Sequence, residues 1–322
     1  MIVRFIIHHL WLVDLLFLLV VPLLILLAVT LIGRRRHPKR RLIMGLVLAL
    51  MAASIYAYGK YVGTKQLEVR HVELSFTDLP EAFDGYRMVQ ISDLHLGSLP
   101  EGMLKRVVDS VNALKPDLIV FNGDMINCVS TEMEQQLPQL KRLKATDAVV
   151  SVLGNHDYCT YEFENPMLAD DDEGRLVSMQ IDLKWRVLMN GYRYVRRGDS
   201  RLVLAGMEND GEDPERQHGD ISSAMNGIRR SDFVVMIEHD PTCWRRKILR
   251  HCHAQLTLSG HTHGGQFSIF GWSPASLRYR EYEGLYTIGG RSLYVTKGIG
   301  GAIPFRLGAT PEIVEITLRK KQ

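Results

Sequence analysis

The chain has 322 residues, enough for one large domain or two modest ones, and it carries 39 Lys and Arg against 36 Asp and Glu. The charge is uneven, because residues 1–65 hold nine basic residues and one acid, which leaves 30 basic and 35 acidic residues in 66–322. This mildly acidic remainder argues against nucleic-acid binding, since contacts to phosphate backbones need clustered Lys and Arg.

Two apolar runs begin the chain, at residues 10–32 and 42–62. Each has about the 20 residues that a helix needs to cross a bilayer. A cleaved signal peptide fits poorly, because its charged segment comes first and its apolar core is shorter. We therefore predict a membrane anchor over residues 1–65, with two transmembrane helices, followed by a second domain over residues 66–322.

The loop between these runs, GRRRHPKRR at 33–41, contains six Lys and Arg. Short basic loops favour the cytoplasmic face of a membrane. The sequence therefore predicts that the N-terminus and residues 66–322 both lie on the extracytoplasmic side. A re-entrant or single-span first segment would reverse that side.

From residue 86 onward, short β-branched runs alternate with helical stretches, which is typical of an α/β fold with sheets covered by helices. We predict helices over 101–114 and 132–144, and polar surface loops over 159–174 and 208–220. The predicted strands are 87–92, 118–122, 148–153, 202–205, 233–237, 255–258, 292–296 and 312–318.

Polar motifs follow five of these strands, and ligands in α/β folds gather beyond the carboxyl ends of strands. In chain order the motifs are Asp93-Leu94-His95, Gly123-Asp124, Gly154-Asn155-His156-Asp157, His239-Asp240 and Gly260-His261-Thr262-His263. Any one of them is compatible with ordinary turn chemistry, but five in succession are a poor fit to chance. Carboxylates, imidazoles and one amide oxygen suit borderline metals such as Zn, Mn and Fe. The sequence therefore predicts a metal site.

The cysteines add no second metal site. Cys128, Cys159, Cys243 and Cys252 show no CxxC spacing, which argues against a structural zinc site. A disulfide between Cys128 and Cys159 stays open, because each closely follows one of the motif-bearing loops. We interpret the triplet at 251–253 (HCH) as a surface turn ahead of a strand.

The ordered set D-x-H, G-D, G-N-H-D, H and G-H-x-H resembles the signature of the calcineurin-like metallophosphoesterases, from about residue 86 to residue 318. The extended forms GHTHGGQF and KGIGGAIPFRLGATPEI resemble its membrane-associated bacterial branch, the YkuE/YaeI-like phosphodiesterases. This resemblance implies a four-layer α/β/β/α sandwich and a dinuclear centre of two divalent or trivalent ions, Mn, Zn or Fe.

Seven positions match the family's ligand pattern, in two sets joined by a carboxylate that bridges both ions. The first set is Asp93, His95 and His263, the second is Asn155, His239 and His261, and the bridge is Asp124. The resemblance further implies that His156 is catalytic, as general acid or as stabiliser of the leaving oxygen. Asp157 is a weaker candidate for orienting that imidazole, and Asp240 either supports a ligand or begins a turn.

The implied protein is a phosphoesterase of the bacterial inner membrane with its catalytic domain outside the cytoplasm. It would hydrolyse phosphodiester or phosphomonoester bonds of a lipid or cell-envelope substrate, by attack of a metal-bridging hydroxide. One alternative is a pyrophosphatase of a UDP-linked acylated sugar lipid, for which a soluble nucleotide-sugar pool requires a cytoplasmic active site. Another is a non-catalytic metal-binding scaffold, which is disfavoured because no ligand position is missing.

Overall fold

The computed structural model describes residues 2–32, 37–212 and 217–321. Its first part is helical, and two spans are long and apolar enough to cross a membrane, Leu10–Leu31 and Pro38–Lys65. The helices are α1 (Ile2–His8), α2 (Leu10–Leu15), α3 (Val21–Leu31) and α4 (Pro38–Tyr61), and a π-helical turn, Leu16–Val20, joins α2 to α3. That turn ends two residues before Pro22, whose missing N–H and ring disturb regular α-helical bonding.

Small residues let α3 and α4 pack closely. The buried residues of α4 are Gly45, Ala49, Tyr56 and Gly59, which recur on one face of the helix. A Cβ atom at Gly45 would approach Leu26 Cδ1 to 3.0 Å, so the backbones are already in close contact there. Small residues at such interfaces are typical of helix pairs in membranes.

The single acid of the first 65 residues is paired within this helical part. Asp14 accepts a hydrogen bond from the Tyr56 hydroxyl at 2.9 Å and forms an ion pair with Lys60. Both partners lie near the end of α4. The carboxylate therefore has partners at the end of the helix pair that adjoins the rest of the chain.

Residues 66–321 form the α/β part. Within the described residues its helices are α5 (Met103–Ala113), α6 (Thr131–Glu134), α7 (Leu137–Leu140), α8 (Pro166–Asp182), α9 (Ile221–Ala224) and α10 (Leu249–His251). Its strands are β1 (Glu68–Phe76), β2 (Arg87–Ile91), β3 (Leu118–Phe121), β4 (Ala148–Ser151), β5 (Arg186–Val187), β6 (Gly191–Arg197), β7 (Ser200–Gly206), β8 (Phe233–Ile237), β9 (Leu256–Ser259), β10 (Gly284–Ile288), β11 (Arg291–Val295) and β12 (Glu312–Lys320).

These strands form two sheets of six. The first has the order β1-β12-β2-β3-β4-β5 and the second has the order β10-β11-β9-β8-β7-β6. Most neighbours are parallel, and the antiparallel pairs are β12 with β2, β10 with β11, and β6 with β7. The carboxyl ends of β2, β3 and β4 therefore share one edge of the first sheet, and those of β8 and β9 share one edge of the second.

Three apolar cores define four layers, which confirms the expected sandwich. The central core lies between the sheets and includes Val120 and Val150 from the first sheet and Val235 from the second. A second core packs the outer face of the first sheet against α5 and α8, and a third covers the outer face of the second sheet around Trp244. Strands buried on both faces explain the continuous apolar runs in the sequence.

The structure corrects two of the local predictions. The predicted helix over 132–144 is two short helices, α6 and α7, and Pro138 stands in the first turn of the second. The predicted loop over 159–174 instead contains the start of α8. Asn165 caps that helix by accepting a hydrogen bond from the Met167 amide at 3.1 Å, and Pro166 follows as its first residue.

The cysteines are all free thiols, so the possible bond between Cys128 and Cys159 is not formed. Both of these thiols are buried, and burial raises the pKa of Cys128 to about 12, far above the range in which a thiolate would react at neutral pH. Cys252 follows α10 and is half-buried against the third core, so the HCH triplet is only partly a surface turn.

Candidate metal centre

The five motifs meet where the carboxyl edges of the two sheets face each other. Two side chains join those edges by donating hydrogen bonds from the first sheet to the second. Asn122 Nδ2 donates to the carbonyl of Leu258 at 2.6 Å, and Gln90 Nε2 donates to that of Ser259 at 2.9 Å. All four groups are buried, so the relative position of the edges is fixed.

Among the described residues, three groups of possible ligand atoms lie at this junction, and the atoms within each group are within 4.8 Å of one another. The group of His95, Asp124 and His156 overlaps the other two. The other two groups are Asp93, His95 and His263, and Asp124, His239 and His261. Asp124 Oδ2 is 3.5 Å from Nε2 of His95 and 3.2 Å from Nε2 of His239, so this carboxylate lies between the two groups. Two sets of candidate ligands around one shared carboxylate therefore stay a prediction, with which this position of Asp124 is compatible.

Several polar atoms of the site are buried without a hydrogen-bond partner among the described residues. They are both ring nitrogens of His95, Nε2 of His239 and Oδ1 of Asn155. Burying such atoms without a partner costs free energy, and a bound cation would supply one. The donor set of imidazole, carboxylate and amide oxygen therefore fits a divalent metal ion.

Backbone carbonyls fix the orientation of two imidazoles. His239 Nδ1 donates to the carbonyl of Asn122 at 2.6 Å, which leaves Nε2 without a proton in the neutral ring. His156 Nδ1 donates to the carbonyl of Asn127 at 2.7 Å and orients its own Nε2 in the same way. These carbonyls decide which nitrogen of each ring is available for chemistry.

The turn Gly154-Asn155-His156 holds Asp124 in place. The His156 amide donates to Asp124 Oδ1 at 2.9 Å, which leaves Oδ2 facing the two histidines. Asn155 Nδ2 donates to the Tyr161 hydroxyl at 3.1 Å, so its amide oxygen is the atom left to bind a cation. The turn thus positions one candidate ligand directly and another through its backbone.

Asp157 does not orient the His156 ring, contrary to the weaker expectation from the sequence. Its carboxylate accepts hydrogen bonds from the amides of Met125 at 2.8 Å and Gly154 at 2.9 Å, which ties the loop after β3 to the loop after β4. Burial and the nearby Asp124 carboxylate raise the pKa of Asp157 to about 7. Its role is to position the two loops.

Asp240 combines the two roles that the sequence left open. Its Oδ1 accepts a hydrogen bond from the Thr242 amide at 2.8 Å, which forms the turn before the next helix. Its Oδ2 lies 3.5 Å from Nε2 of His261, which also lies 3.2 Å from the Tyr279 hydroxyl. The turn residue therefore also contacts a candidate ligand.

Burial keeps three of the four candidate histidine ligands neutral, the state that binds metals, while it raises the pKa of the Asp93 carboxyl. Burial, with His156 nearby, lowers the pKa of His95 to about 3, and burial also lowers the pKa of His263 well below its ordinary value. Burial acts the same way on His239, but the Asp124 carboxylate outweighs it and raises that pKa. A metal ion binding at His239 would displace that proton.

The backbone at the site is strained in a way that places these side chains. Five of the seven predicted ligands have positive φ, between 48° and 71°, a conformation that few residues other than glycine adopt. They are Asp93, His95, Asp124, His261 and His263. Such strain clusters at functional sites, where the surrounding fold enforces it.

Sequence reasoning missed Arg306, a buried cation at the edge of the site. The side chain is 2% exposed, and its Nη1 donates to the carbonyls of His263 at 3.0 Å and Ala309 at 3.3 Å. Burial lowers the pKa of Arg306 to about 10, which leaves it charged at neutral pH. The motif KGIGGAIPFRLGATPEI contains this arginine, but its contact with His263 spans 43 residues and no local pattern indicates it.

Two packed sheets with candidate metal ligands at their joined carboxyl edges fit the class of metallophosphoesterases. The calcineurin-like phosphoesterase family model matches residues 86–266, which include the motifs from Asp93 to His263. The chain therefore belongs to the calcineurin-like phosphoesterase family.

Relatives align over most of the chain. The metallophosphoesterase YkuE of Bacillus subtilis is 29% identical over 88% of this chain and 99% of its own length. The transmembrane protein with metallophosphoesterase domain of Danio rerio is 31% identical over 85% of this chain, which spans 62% of that protein. The UDP-2,3-diacylglucosamine pyrophosphatase LpxG of Chlamydia trachomatis is 26% identical over 73% of this chain and 85% of LpxG. Together with the two apolar spans, these relatives indicate a membrane protein.

Proposed function

We propose that the chain is a membrane-anchored phosphoesterase that hydrolyses phosphodiester bonds, with phosphomonoesters as a further substrate class. Two metal ions are held by seven residues, in the sets predicted from the sequence: Asp93, His95 and His263, then Asn155, His239 and His261, with Asp124 shared. The observation that carries this proposal is the position of Asp124 Oδ2, 3.5 Å from His95 and 3.2 Å from His239.

Two such ions would polarise phosphoryl oxygens and lower the pKa of a water molecule between them. The protein supplies the positioning that phosphoryl transfer requires. The carboxylate of Asp124 would supply negative charge to both cations, and the His156 amide holds one of its oxygens. His156 keeps Nδ1–H on the Asn127 carbonyl, so in the protonated ring Nε2 holds a second proton that it can donate to the leaving oxygen.

Asp124→Asn tests the shared carboxylate. The substitution removes the charge that the two ions share, so we expect lower metal content and a loss of turnover of about 100-fold or more. Metal content is measured by elemental analysis and turnover with bis-p-nitrophenyl phosphate. Asp171→Asn makes the same chemical change at an exposed position on α8 and serves as the control. Full activity with unchanged metal content in the Asp124 variant would refute the two-ion centre.

A second candidate substrate class is a UDP-linked acylated sugar lipid, cleaved at its pyrophosphate. The similarity to LpxG supports this candidate. A panel of phosphodiesters, phosphomonoesters and UDP-linked sugar lipids, assayed with each metal in turn, separates the classes by their kcat/KM values. Preferential cleavage of the UDP-linked lipid would favour the pyrophosphatase.

We place residues 66–322 outside the cytoplasm, anchored by residues 1–65. The basic loop supports this orientation, although Gly33–Arg36 of that loop lie outside the described residues. Contacts of the N-terminus support a common side for both ends of the helix pair. Arg4 donates to Glu162 at 2.8 Å and His8 lies 2.7 Å from the same carboxylate, which follows the GNHD turn.

A further inference from the structure

An apolar groove lies between the membrane helices and the α/β part of the chain. Its volume is about 510 Å³, within the range of cavities that bind small molecules. Eight of its ten lining residues have purely apolar side chains, so the groove suits a hydrocarbon and offers little to a polar ligand. Its walls include Val13, Phe17, Ala52, Ile55, Phe267 and Ile303.

The groove lies at the depth of one membrane leaflet. Its lining residues on α4, from Ala52 to Tyr56, stand five to nine residues before the helix ends at Tyr61. With about 1.5 Å of rise per residue, the groove is within about 14 Å of that end, and half of a hydrocarbon core is about 15 Å. Phe17 and Ile55 are 40% and 44% exposed, so the groove opens toward the surrounding lipid.

The opposite wall of the groove is joined to the candidate metal centre. Gln266 follows His263 by three residues, and its Nε2 donates to the carbonyl of Ile303 at 2.9 Å. Phe305, also in this wall, precedes Arg306, whose Nη1 donates to the His263 carbonyl at 3.0 Å. Three residues span at most about 11 Å, so the wall begins close to a predicted ligand.

Aromatic stacking connects this wall to the membrane helices. The Tyr56 ring stacks on Phe305 with centroids 5.8 Å apart and on Phe17 with centroids 5.0 Å apart. A chain that entered the groove from the bilayer would therefore run along membrane helices on one side and along residues next to the site on the other.

The segment after Phe267 presents apolar side chains on the surface. Ile269 and Trp272 pair through two backbone hydrogen bonds of 3.0 Å, and Phe270 at the tip of this hairpin is fully exposed. Exposed aromatic groups of this kind are typical of the membrane–water interface. The hairpin indicates that the groove side of the α/β part faces the bilayer.

From these observations we infer that the groove binds one acyl chain of a lipid phosphoester whose headgroup reaches the metal centre. The inference rests on the proposed function and adds the substrate class: a lipid of the leaflet that adjoins the α/β part. The acyl chain of the bound lipid lies along α4, and the phosphate of the same lipid lies beyond Gln266.

Filling the groove tests this inference in the full-length, metal-loaded protein. Ala52→Phe places a ring in the groove, while Ser54→Phe adds a similar volume on an exposed face of the same helix. Ala52→Phe should lower kcat/KM for long-chain phosphatidylglycerol in mixed micelles by about tenfold or more, because losing the burial of two methylene groups suffices for that factor. Its rate with bis-p-nitrophenyl phosphate, and both rates of Ser54→Phe, should stay unchanged.

A second measurement does not depend on turnover. Phosphatidylglycerol with a photoactivatable acyl chain should label the groove residues of the wild type, and Ala52→Phe should suppress this labelling. The inference would be overturned if Ala52→Phe and Ser54→Phe hydrolysed the lipid equally well, or if Ala52→Phe lost equal activity on the lipid and on bis-p-nitrophenyl phosphate. It would also be overturned by labelling spread evenly around α4, as bulk lipid would produce. Groove labelling in a wild type that cleaves no phosphoester would instead refute the proposed function alone.

Discussion

The His156 ring is enclosed by two other rings of the site. It lies 4.7 Å from the His95 ring and 4.4 Å from the Tyr161 ring, measured between centroids. A ligand atom of His156 also lies within 4.8 Å of those of His95 and Asp124, so geometry alone permits a role as metal ligand as well as a role in proton transfer. A substitution separates these roles.

His156→Ala should retain both metal ions and lose about 10²- to 10⁴-fold in rate on diesters with poor leaving groups. The loss should be smaller with p-nitrophenyl leaving groups, because these need less proton donation. His251→Ala, at an exposed position, is the control. Metal analysis accompanies the kinetics, and the loss of one ion from the His156 variant would reassign this residue as a ligand.

At the scale of elements, the end of α4 is seated tightly on the segment that carries Arg306. The Arg306 amide donates to the carbonyl of Gly59 at 3.0 Å. A Cβ atom at Gly63 would lie 1.8 Å from the Arg306 carbonyl oxygen, closer than any real contact. The membrane helix and the edge of the metal centre therefore share one rigid junction.

Gly63→Ala should force this junction apart and lower the free energy of unfolding by about 1–3 kcal/mol, the usual cost of overpacking. Activity should fall as well, because Arg306 would move relative to His263. Gly174→Ala adds the same methyl group in α8 where nothing lies within 4 Å, and it should not destabilise the protein. Thermal unfolding and turnover of the detergent-solubilised variants test this, and an unchanged Gly63→Ala protein would show that the junction is adaptable.

At the scale of the whole molecule, the membrane orientation decides which substrates are accessible. A carboxyl-terminal alkaline phosphatase fusion, active only outside the cytoplasm, should be active, and a green fluorescent protein fusion, fluorescent only inside, should be dark. Replacing the six Lys and Arg of the loop by Gln should weaken this preference, because those charges set the bias. If the green fluorescent protein fusion were fluorescent and the alkaline phosphatase fusion inactive, the site would lie in the cytoplasm. That result would favour the UDP-linked lipid as substrate.

Local patterns in the sequence were sufficient for the main elements. The apolar spans follow from composition, and doubly buried strands such as β3 and β8 appear as continuous apolar runs because both of their faces are covered. The strands β1, β6 and β10 were missed, because the prediction relied on continuous apolar runs, whereas these partly exposed strands mix apolar with polar residues. The start of α8 was missed because its exposed face is acidic.

The sequence by itself determined the family, the two apolar spans and the order of the motifs, because ligand types, strand ends and turns are written within a few neighbouring residues. Only the tertiary structure decided which distant segments of the chain contact each other. The Arg306 contact with His263, the support that Asp157 gives to two loops, and the groove between α4 and Phe267 all join residues far apart in the chain. Such contacts depend on how the two sheets and the membrane helices pack, which no local pattern specifies.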